Sequence, residues 1–342
     1  MRVGVVGLGY WGPNLVRNLH QLPEADVVAV CDTRPAALDA IIGRYAGVRG
    51  TDSLDALVSD DSVEAVVIAT PVSTHHRLAL AALLAGKHVF VEKPLAASSL
   101  EATELIEAAR RGGLVLMPGH TFLYSPSVNL IRDLIRSGDL GEIYFLSTSR
   151  VNLGLHQTDV SVVWDLAPHD FSILHYWLEE MPTTVAAVSR GCIIPEIPDV
   201  AFINLAFPSG AVAHVELSWL APGKLRRTAV VGSEKMVVYD DTSNEPVRIF
   251  DSGVMPRNPE TFGEYQLSYR TGDVVSPRVE ATEPLALEML DFCTAVRLGS
   301  QPAASAELGR DVVRMVEAVD RSLAAAGAPV PVAVSGAVAD VL

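Results

Sequence analysis

Residues 1–12, with the sequence MRVGVVGLGYWG, decide the fold of the first part of the chain. The apolar run at residues 3–6 predicts a buried strand, and Gly7, Gly9 and Gly12 complete a G-x-G-x-x-G pattern directly after it. In this spacing Gly7 permits the tight turn out of the strand, Gly9 lets the backbone approach a pyrophosphate, and Gly12 allows the next helix to pack closely on the sheet. Phosphates would lie on the free N–H groups at the start of that helix. The stretch therefore predicts the beginning of a dinucleotide-binding domain.

The residues after this glycine pattern agree with it. An amphipathic segment at residues 14–21 precedes a second predicted strand at residues 26–31, which is followed by Asp32. A carboxylate at this distance from the glycines accepts hydrogen bonds from the ribose hydroxyls of adenosine and repels a 2′-phosphate. The sequence therefore favours NAD over NADP, and Arg34 is a nearby cation that softens this preference. The alternative interpretation is a glycine-rich turn with a capping aspartate.

The composition limits the classes of function. The 342 residues suffice for two domains with substantial cores. Lys and Arg number 26 against 41 Asp and Glu, a net charge of −15 without a basic run, which argues against nucleic acid as a partner. The three cysteines are too scattered to form a metal site, and their odd number indicates a protein of the reducing cytoplasm. No apolar stretch is long enough to span a bilayer, so we expect a cytoplasmic protein without a membrane partner.

Strand and helix patterns alternate as far as about residue 120. The predicted strands beyond the first two are residues 63–70, 88–92 and 114–119, and the predicted helices among them are residues 74–84 and 98–112. The capping box Ser98-x-x-Glu101 opens the second of these helices. Successive strands joined by helices imply a parallel, doubly wound sheet of the α/β class. We therefore predict a Rossmann domain over residues 1–121.

Strand patterns dominate from about residue 142. They cover residues 143–151, 185–190, 200–207, 212–220, 227–232 and 236–240. Alternating polar and apolar residues over 212–219 predict a sheet with one polar face. Residues 251–283 predict a long loop, and helices near 284–298 and 306–326 are candidates to pack back on the first domain. We therefore predict an α+β domain over residues 122–342, with a large, open, mostly antiparallel sheet.

Two groups of residues carry possible chemistry. Lys93, in the sequence Glu92-Lys93-Pro94, follows a strand of the parallel sheet, where its ammonium could bond a substrate hydroxyl; the alternative is a solvated surface lysine. Asp165 and His169 are four residues apart, so on one helix they share a face. An imidazole held by a carboxylate suits proton exchange near neutral pH. Pro168 also permits a helix that begins here with Asp165 as its N-cap.

Together these residues resemble the Gfo/Idh/MocA family of NAD(P)-dependent sugar and cyclitol oxidoreductases over nearly the whole chain. The resemblance rests on GLGYWG at 7–12, Asp32, ATPVSTHH at 69–76, VEKP at 91–94 and the pair Asp165/His169. In this family the lysine of EKP and the paired aspartate and histidine are active-site residues, which implies Lys93, Asp165 and His169 here. The resemblance implies hydride transfer between a carbinol carbon and nicotinamide C4, without a metal.

The resemblance also implies a role for each residue. His169 would take the hydroxyl proton during oxidation, Asp165 would orient the imidazole, and Lys93 would stabilise negative charge on the reacting oxygen. Which of Lys93 and His169 exchanges the proton stays open. The implied cofactor-binding residues are Gly7, Gly9, Tyr10, Trp11, Gly12, Asp32, Arg34, Thr70, Pro71, His75, Glu92 and Lys93.

The substrate is predicted from two further stretches. Residues 149–170 and 218–227 are similar to a branch that contains nucleotide-sugar dehydrogenases acting at sugar C3, and Lys224 and Arg226 could meet a diphosphate. The neighbouring Arg227 faces the opposite way on a strand. The remaining substrate candidates are Tyr124, Asn152 and His156. We expect a nucleotide-linked sugar; the alternatives are a free sugar, aminosugar or cyclitol, and a non-catalytic NAD-sensing protein.

Self-association is a further implication of the resemblance. Members of the family commonly associate through the open face of the second sheet. We therefore expect a homodimer or homotetramer that forms through the C-terminal sheet.

Overall fold

The computed structural model describes residues 1–154, 160–255 and 268–332. The strands in chain order are β1 (Arg2–Val6), β2 (Asp26–Cys31), β3 (Arg49–Thr51), β4 (Ala65–Ile68), β5 (His88–Glu92), β6 (Leu116–Gly119), β7 (Ile143–Leu153), β8 (Thr184–Arg190), β9 (Val200–Ala206), β10 (Val212–Ser218), β11 (Leu220–Gly232), β12 (Met236–Asp240), β13 (Val247–Phe250), β14 (Gly253–Met255), β15 (Ser268–Arg270), β16 (Val274–Val275) and β17 (Val330–Pro331). The helices are α1 (Gly12–Gln21), α2 (Pro35–Ile42), α3 (Leu54–Val58), α4 (Val72–Leu84), α5 (Ser99–Gly112), α6 (Pro126–Arg136), α7 (Val162–Leu178), α8 (Pro284–Leu298) and α9 (Ala306–Ala324), with a short 3-10 helix at Thr121–Tyr124.

The chain forms two compact units. The first contains Met1–Ser125 and Thr282–Arg314, and the second contains Pro126–Ala281 and the residues from Met315 onward. The first unit therefore includes Thr282–Arg314, which lies outside the predicted Rossmann domain of residues 1–121 and far from it along the sequence. The reason is the apolar face of α8, where Leu285, Met289 and Phe292 are buried and the Phe292 ring lies 5.9 Å from that of Phe90.

The first unit is built on a parallel sheet. Its strand order is β3-β2-β1-β4-β5-β6, and each neighbouring pair runs parallel. All four residues of β4 are fully buried, as expected for a strand with helices on both faces. The predicted doubly wound α/β fold is confirmed. In such a sheet the order reverses between β1 and β4, and ligands bind outside the carboxyl ends of the strands at that point.

The residues of the capping box predicted for α5 cap the helix start, although Glu101 accepts from the residue before the N-cap Ser98. Ser98 Oγ accepts a hydrogen bond from the Glu101 N–H at 3.2 Å, and Glu101 Oε2 accepts one from the Ala97 N–H at 3.1 Å. The helix ends at Gly112, and the C-cap Gly113 has a φ of 63°, the left-handed conformation that favours glycine. Local sequence signals therefore fix both ends of this helix.

The second unit is built on a mixed sheet of nine strands. Their order is β16-β13-β12-β11-β7-β10-β9-β8-β17, and within the described residues β7 and β10 run parallel while the other pairs are antiparallel. The predicted large, mostly antiparallel sheet is confirmed. On β10 the residues Ala213, Val215 and Leu217 are buried, whereas Val212 on the opposite face is 51% exposed.

Two details of the second unit differ from the sequence prediction. Helix α7 begins after Ser161 and contains Pro168 in its interior, so Asp165 lies within the helix and is not its N-cap. Proline lacks an N–H, so this helix loses one hydrogen bond, but its many buried side chains keep it in place. The predicted loop 251–283 contains β14, β15 and β16, because strands of two or three residues are too short to produce an alternating pattern.

Among the described residues, no helix is long and apolar enough to cross a membrane.

Candidate functional site

A cavity of about 570 Å³ lies in the first unit, at the carboxyl ends of β1, β2 and β4. It is lined by six of the predicted cofactor residues, namely Gly7, Gly9, Asp32, Arg34, Thr70 and Pro71. The cavity lies at the reversal point of the strand order, where the fold class places a nucleotide. It also has lining residues that the sequence analysis missed, including Thr33, Asp52, Leu54, Thr74 and Arg77. Asp52 and Leu54 follow β3, and only the strand order reveals that this end adjoins β2.

The three glycines of the first turn have different surroundings. Gly7 has a φ of +89°, and a Cβ there would lie 2.6 Å from the Ala69 carbonyl oxygen. A Cβ on Gly12 would collide with the Gly7 carbonyl oxygen. No heavy atom of the described residues lies within 4 Å of the position that a Cβ on Gly9 would take. The protein itself therefore does not require glycine at position 9, and the open space fits the close approach of a pyrophosphate.

The neighbouring aromatic residues lie on the same loop. Tyr10 is 78% exposed and Trp11 is 43% exposed, with their rings 5.5 Å apart. Trp11 is the residue before α1, and its carbonyl accepts hydrogen bonds from the N–H groups of Asn14 and Leu15. These positions are open to a ligand at the start of the helix.

Asp32 is held as a carboxylate at the end of β2. Arg34 donates to it from Nε at 3.0 Å and from Nη2 at 3.1 Å, and the Leu8 N–H donates at 2.7 Å. The hydrogen bonds from Arg34, joined by that of Leu8, lower the pKa of Asp32 to about 2. Asp32 is therefore fully charged at neutral pH, and it ties the glycine loop to the second strand.

Lys93 directly follows β5, and the buried side chains of Glu92 and His75 lie near this end of the strand. Its backbone N–H donates to Glu92 Oε2 at 3.2 Å. Burial raises the pKa of Glu92 to about 7. His75 is 1% exposed, and its two ring nitrogens lie 2.8 Å from the carbonyl oxygens of Pro94 and Thr70. His75 thus braces the ends of β4 and β5, and burial lowers its pKa.

Glu288 on α8 is a buried carboxyl that the sequence analysis missed. Thr121 Oγ1 donates to its Oε2 at 2.7 Å, while its Oε1 has no hydrogen-bond partner among the described residues. Burial, together with the charge of Glu92, raises the pKa of Glu288 well above its usual range. Its surroundings therefore favour the protonated form of the carboxyl. Nothing in the sequence pattern distinguishes it from a solvated helix glutamate.

Asp165 and His169 lie one turn apart on α7, as their spacing predicts. Trp219 Nε1 donates to Asp165 Oδ2 at 3.1 Å. Trp164 Nε1 donates to Asp320 Oδ2 at 2.8 Å. The sequence analysis missed Trp219, a 1% exposed side chain directly after β10, because no local pattern relates it to a helix 54 positions earlier.

The substrate candidates have different surroundings. The Tyr124 hydroxyl donates to Asp291 Oδ2 at 2.7 Å and accepts from the Ala304 N–H at 3.1 Å. Tyr124 is 7% exposed and helps to hold α8, and its contact with a substrate stays a prediction. Asn152 is half-buried near the end of β7. His156 lies outside the described residues.

The two cations predicted to meet a diphosphate lie on β11. Arg226 Nη1 lies 3.3 Å from Asp241 Oδ2, so Arg226 has an acidic partner within the second unit. Lys224 and Arg227 are exposed. A diphosphate site at Lys224 and Arg226 stays a prediction.

Comparison with known proteins identifies the family. Residues 1–120 match the model of the oxidoreductase family with an NAD-binding Rossmann fold, and residues 128–238 match the GFO/IDH/MocA C-terminal domain. The chain is 26% identical over 334 residues to the myo-inositol 2-dehydrogenase of Thermotoga maritima, which covers 94% of this chain and 96% of the relative.

Two solved structures extend the comparison. GenD2 from gentamicin A biosynthesis, in complex with NAD, is 26% identical with a TM-score of 0.83, covering 98% of this chain and 97% of GenD2. UDP-N-acetylglucosamine 3-dehydrogenase GnnA from Acidithiobacillus ferrooxidans is 24% identical with a TM-score of 0.81, covering 95% and 98% of the two chains, and this shows a shared fold. The two family models together cover most of the chain, which therefore belongs to the Gfo/Idh/MocA family of NAD-binding oxidoreductases.

Proposed function

We propose that the protein is an NAD-dependent dehydrogenase that transfers hydride between nicotinamide C4 and a secondary hydroxyl carbon of a sugar or cyclitol. The observation that carries this proposal is the place of Lys93. It follows β5 at the same carboxyl edge of the sheet as the cavity lined by Gly7, Gly9 and Asp32. A cation at that edge is suited to stabilise an oxyanion that forms next to a bound dinucleotide.

NAD is proposed as the cofactor because of Asp32. A 2′-phosphate at this position would meet a carboxylate whose pKa is about 2. The guanidinium of Arg34 is already bonded to that carboxylate. The structure of GenD2 in complex with NAD supports the same choice.

Three residues are proposed to perform the chemistry around the hydride transfer that NAD supplies when bound. Lys93 bonds the reacting oxygen and stabilises its negative charge. His169 takes the hydroxyl proton during oxidation and returns it during reduction. Asp165 is bonded to the Trp219 indole, and it orients the His169 ring and favours its cation.

For the substrate we propose a free sugar or a cyclitol. Arg226 already has a partner in Asp241, which weakens the support for a diphosphate site. A relative that covers almost the whole chain is a myo-inositol 2-dehydrogenase. A nucleotide-linked sugar therefore becomes the second candidate, with Lys224 as its remaining cation.

A substrate panel tests this proposal. Purified protein is assayed for NADH formation with inositols, free hexoses and aminosugars and with the matching UDP- and dTDP-linked sugars, and for NADH consumption with the corresponding ketones. We expect turnover with a free sugar or cyclitol, and none from Lys93→Met. Turnover confined to nucleotide-linked sugars contradicts the substrate class. No turnover in either direction, from protein that binds NAD, contradicts the enzymatic function and favours an NAD sensor.

We further propose that the protein forms homo-oligomers through the second sheet. Phe145, Val188, Phe202 and Val212 share one face of neighbouring strands and are 39–57% exposed. Exposed apolar patches of this kind mark interaction surfaces. Light scattering at micromolar concentration is expected to show a dimer or tetramer, which Phe202→Glu dissociates. Leu100→Glu, at an exposed leucine of the first unit, is the control, and a monomeric wild-type protein contradicts the proposal.

A further inference from the structure

A buried ion pair lies between α7 and the sheet of the second unit. Arg150 donates to Asp170 from Nε to Oδ2 at 2.8 Å and from Nη2 to Oδ1 at 3.1 Å. The two side chains are 5% and 3% exposed. Thr148 Oγ1 also donates to Asp170 Oδ1, at 3.0 Å, and itself accepts from Thr228 Oγ1 at 3.0 Å. The Asp170 carboxylate is therefore held by three donors from two alternate residues of β7.

The position of Asp170 connects this pair to the proposed chemistry. Asp170 immediately follows His169 on α7. Neighbouring side chains on an α-helix point about 100° apart around its axis. When the sheet fixes the direction of Asp170, it also fixes the direction in which His169 leaves the helix.

Stability alone does not explain an ion pair at this place. The desolvation of two buried charges offsets much of their attraction, and apolar side chains of similar volume often replace such pairs without loss. Apolar contact, however, has no preferred direction. A bidentate guanidinium–carboxylate pair fixes both the distance and the orientation of its partners.

We propose that Arg150 is a positioning residue for the reaction, because its bonds to Asp170 set the rotation of α7 and thereby the direction of the His169 side chain. This inference rests on the proposed function, in which His169 exchanges the substrate proton. Arg150 itself does not touch the substrate in this account. Asp165 is held separately, by Trp219 from the end of β10.

The test separates positioning from stability. The double variant Arg150→Met/Asp170→Leu removes both charges and leaves neither one stranded in the interior. We expect its thermal stability to approach that of the wild type, its NAD affinity to remain unchanged and its kcat to fall by about 100-fold, as for a catalytic group displaced by about 1 Å. If kcat recovers together with stability, the positioning role is wrong.

A control variant changes α7 without altering this pair. The Tyr176 hydroxyl, two turns beyond His169, donates to Asn129 Oδ1 at 2.7 Å. Tyr176→Phe removes that bond, and we expect a loss of stability with kcat unchanged. An equal loss of kcat in this variant would show that any loosening of α7 suffices, and would overturn the specific role of Arg150.

A milder pair of variants serves if the double variant does not fold. Thr148→Val removes one donor from Asp170, whereas Thr228→Val leaves all the donors of Asp170 in place. We expect kcat to fall several-fold only in the first, and equal values contradict the inference. His169→Asn separates this outcome from failure of the proposed function. If His169→Asn retains full kcat, both fail; if it loses kcat while the Arg150 variants do not, only the positioning role fails.

Discussion

Two aspartates, one in each unit, are each bound by an arginine, but their surroundings differ. Asp32 pairs with Arg34, two residues away, and the arginine side chain is 61% exposed. Asp170 pairs with Arg150, twenty residues away, and both side chains are almost fully buried. The first pair lies at the cavity that we propose for the cofactor, and the second attaches a helix to a sheet.

The difference in burial determines how much each pair contributes to the stability of the fold. An ion pair with an exposed partner contributes little to stability because water competes for the exposed charge, here that of Arg34. Removal of one partner from a buried pair leaves an uncompensated charge inside the protein, which is strongly destabilising. The Asp32 pair is therefore free to serve binding, whereas the Asp170 pair determines the geometry of its helix.

The largest effect is expected for the buried pair. Arg150→Met leaves the Asp170 carboxylate without its guanidinium, and we expect the free energy of unfolding to fall by about 3–5 kcal/mol. Denaturant titration at neutral pH measures this loss. A loss below about 1 kcal/mol would remove the contrast between the two pairs.

Glu92 extends the comparison to a buried carboxyl without an arginine. Its pKa of about 7 lies above the ordinary value, so the folded protein holds this proton more tightly than the unfolded chain. The resulting stability is complete below about pH 4.5 and is lost as the pH rises through 7. In Glu92→Gln the free energy of unfolding should therefore fall by about 3 kcal/mol less than in the wild type as the pH rises through this range. Denaturant titrations across this range measure it, and an identical decline in the variant contradicts the assignment.

Gly9 tests whether the first unit keeps its open space for a ligand. A Cβ at this position meets no described atom of the protein, so Gly9→Ala should leave Tm unchanged. If a pyrophosphate approaches here, the same change should weaken NAD binding by about tenfold, or about 1.4 kcal/mol. Calorimetric titration with NAD measures the affinity. Gly12→Ala, which collides with the backbone of Gly7, is the comparison that should lose stability as well. Unchanged NAD affinity in Gly9→Ala contradicts the predicted role of the loop.

The smallest effect is expected for the exposed pair. Arg34→Met should lower the free energy of unfolding at neutral pH by less than about 1 kcal/mol. It should also raise the pKa of Asp32 from about 2 toward its ordinary value. A lowered pKa gives stability that is present at a pH above the ordinary pKa of the group and is lost as the pH falls through the lowered pKa. The variant should therefore lose the contribution of ionised Asp32 to the free energy of unfolding at a higher pH than the wild type. Acid titration of both proteins tests the shift, and a loss as large as that of Arg150→Met makes the two pairs equivalent.

The same contrast explains which features the sequence predicts. The loop that we propose for the cofactor is encoded within residues 1–34, because Gly7 and Asp32 act through backbone geometry and through partners close in the chain. Helix α5 is likewise defined by its own capping residues. The spacing of Asp165 and His169 predicts one shared helix, and both lie on α7.

The missed residues depend on contacts between distant segments. Trp219, Arg150 and Glu288 each meet their hydrogen-bond partners only after the strands and helices have assembled. The partners of Tyr124 and Arg226 were missed in the same way, because a sequence shows the side chain but not the carboxylate that it contacts. The carboxylate that Tyr124 contacts is far along the chain, and the one that Arg226 contacts directly follows another strand, so the distance along the chain conceals both.

The most direct test of the account compares turnover and NAD affinity in His169→Asn, using the substrate that the wild-type protein oxidises fastest. The account predicts that kcat falls by at least about 100-fold while the Kd for NAD is unchanged, because the cofactor cavity belongs to the first unit and the proton exchange to α7. Turnover at the wild-type rate would contradict the assignment of His169 and, with it, the proposed chemistry of the second unit.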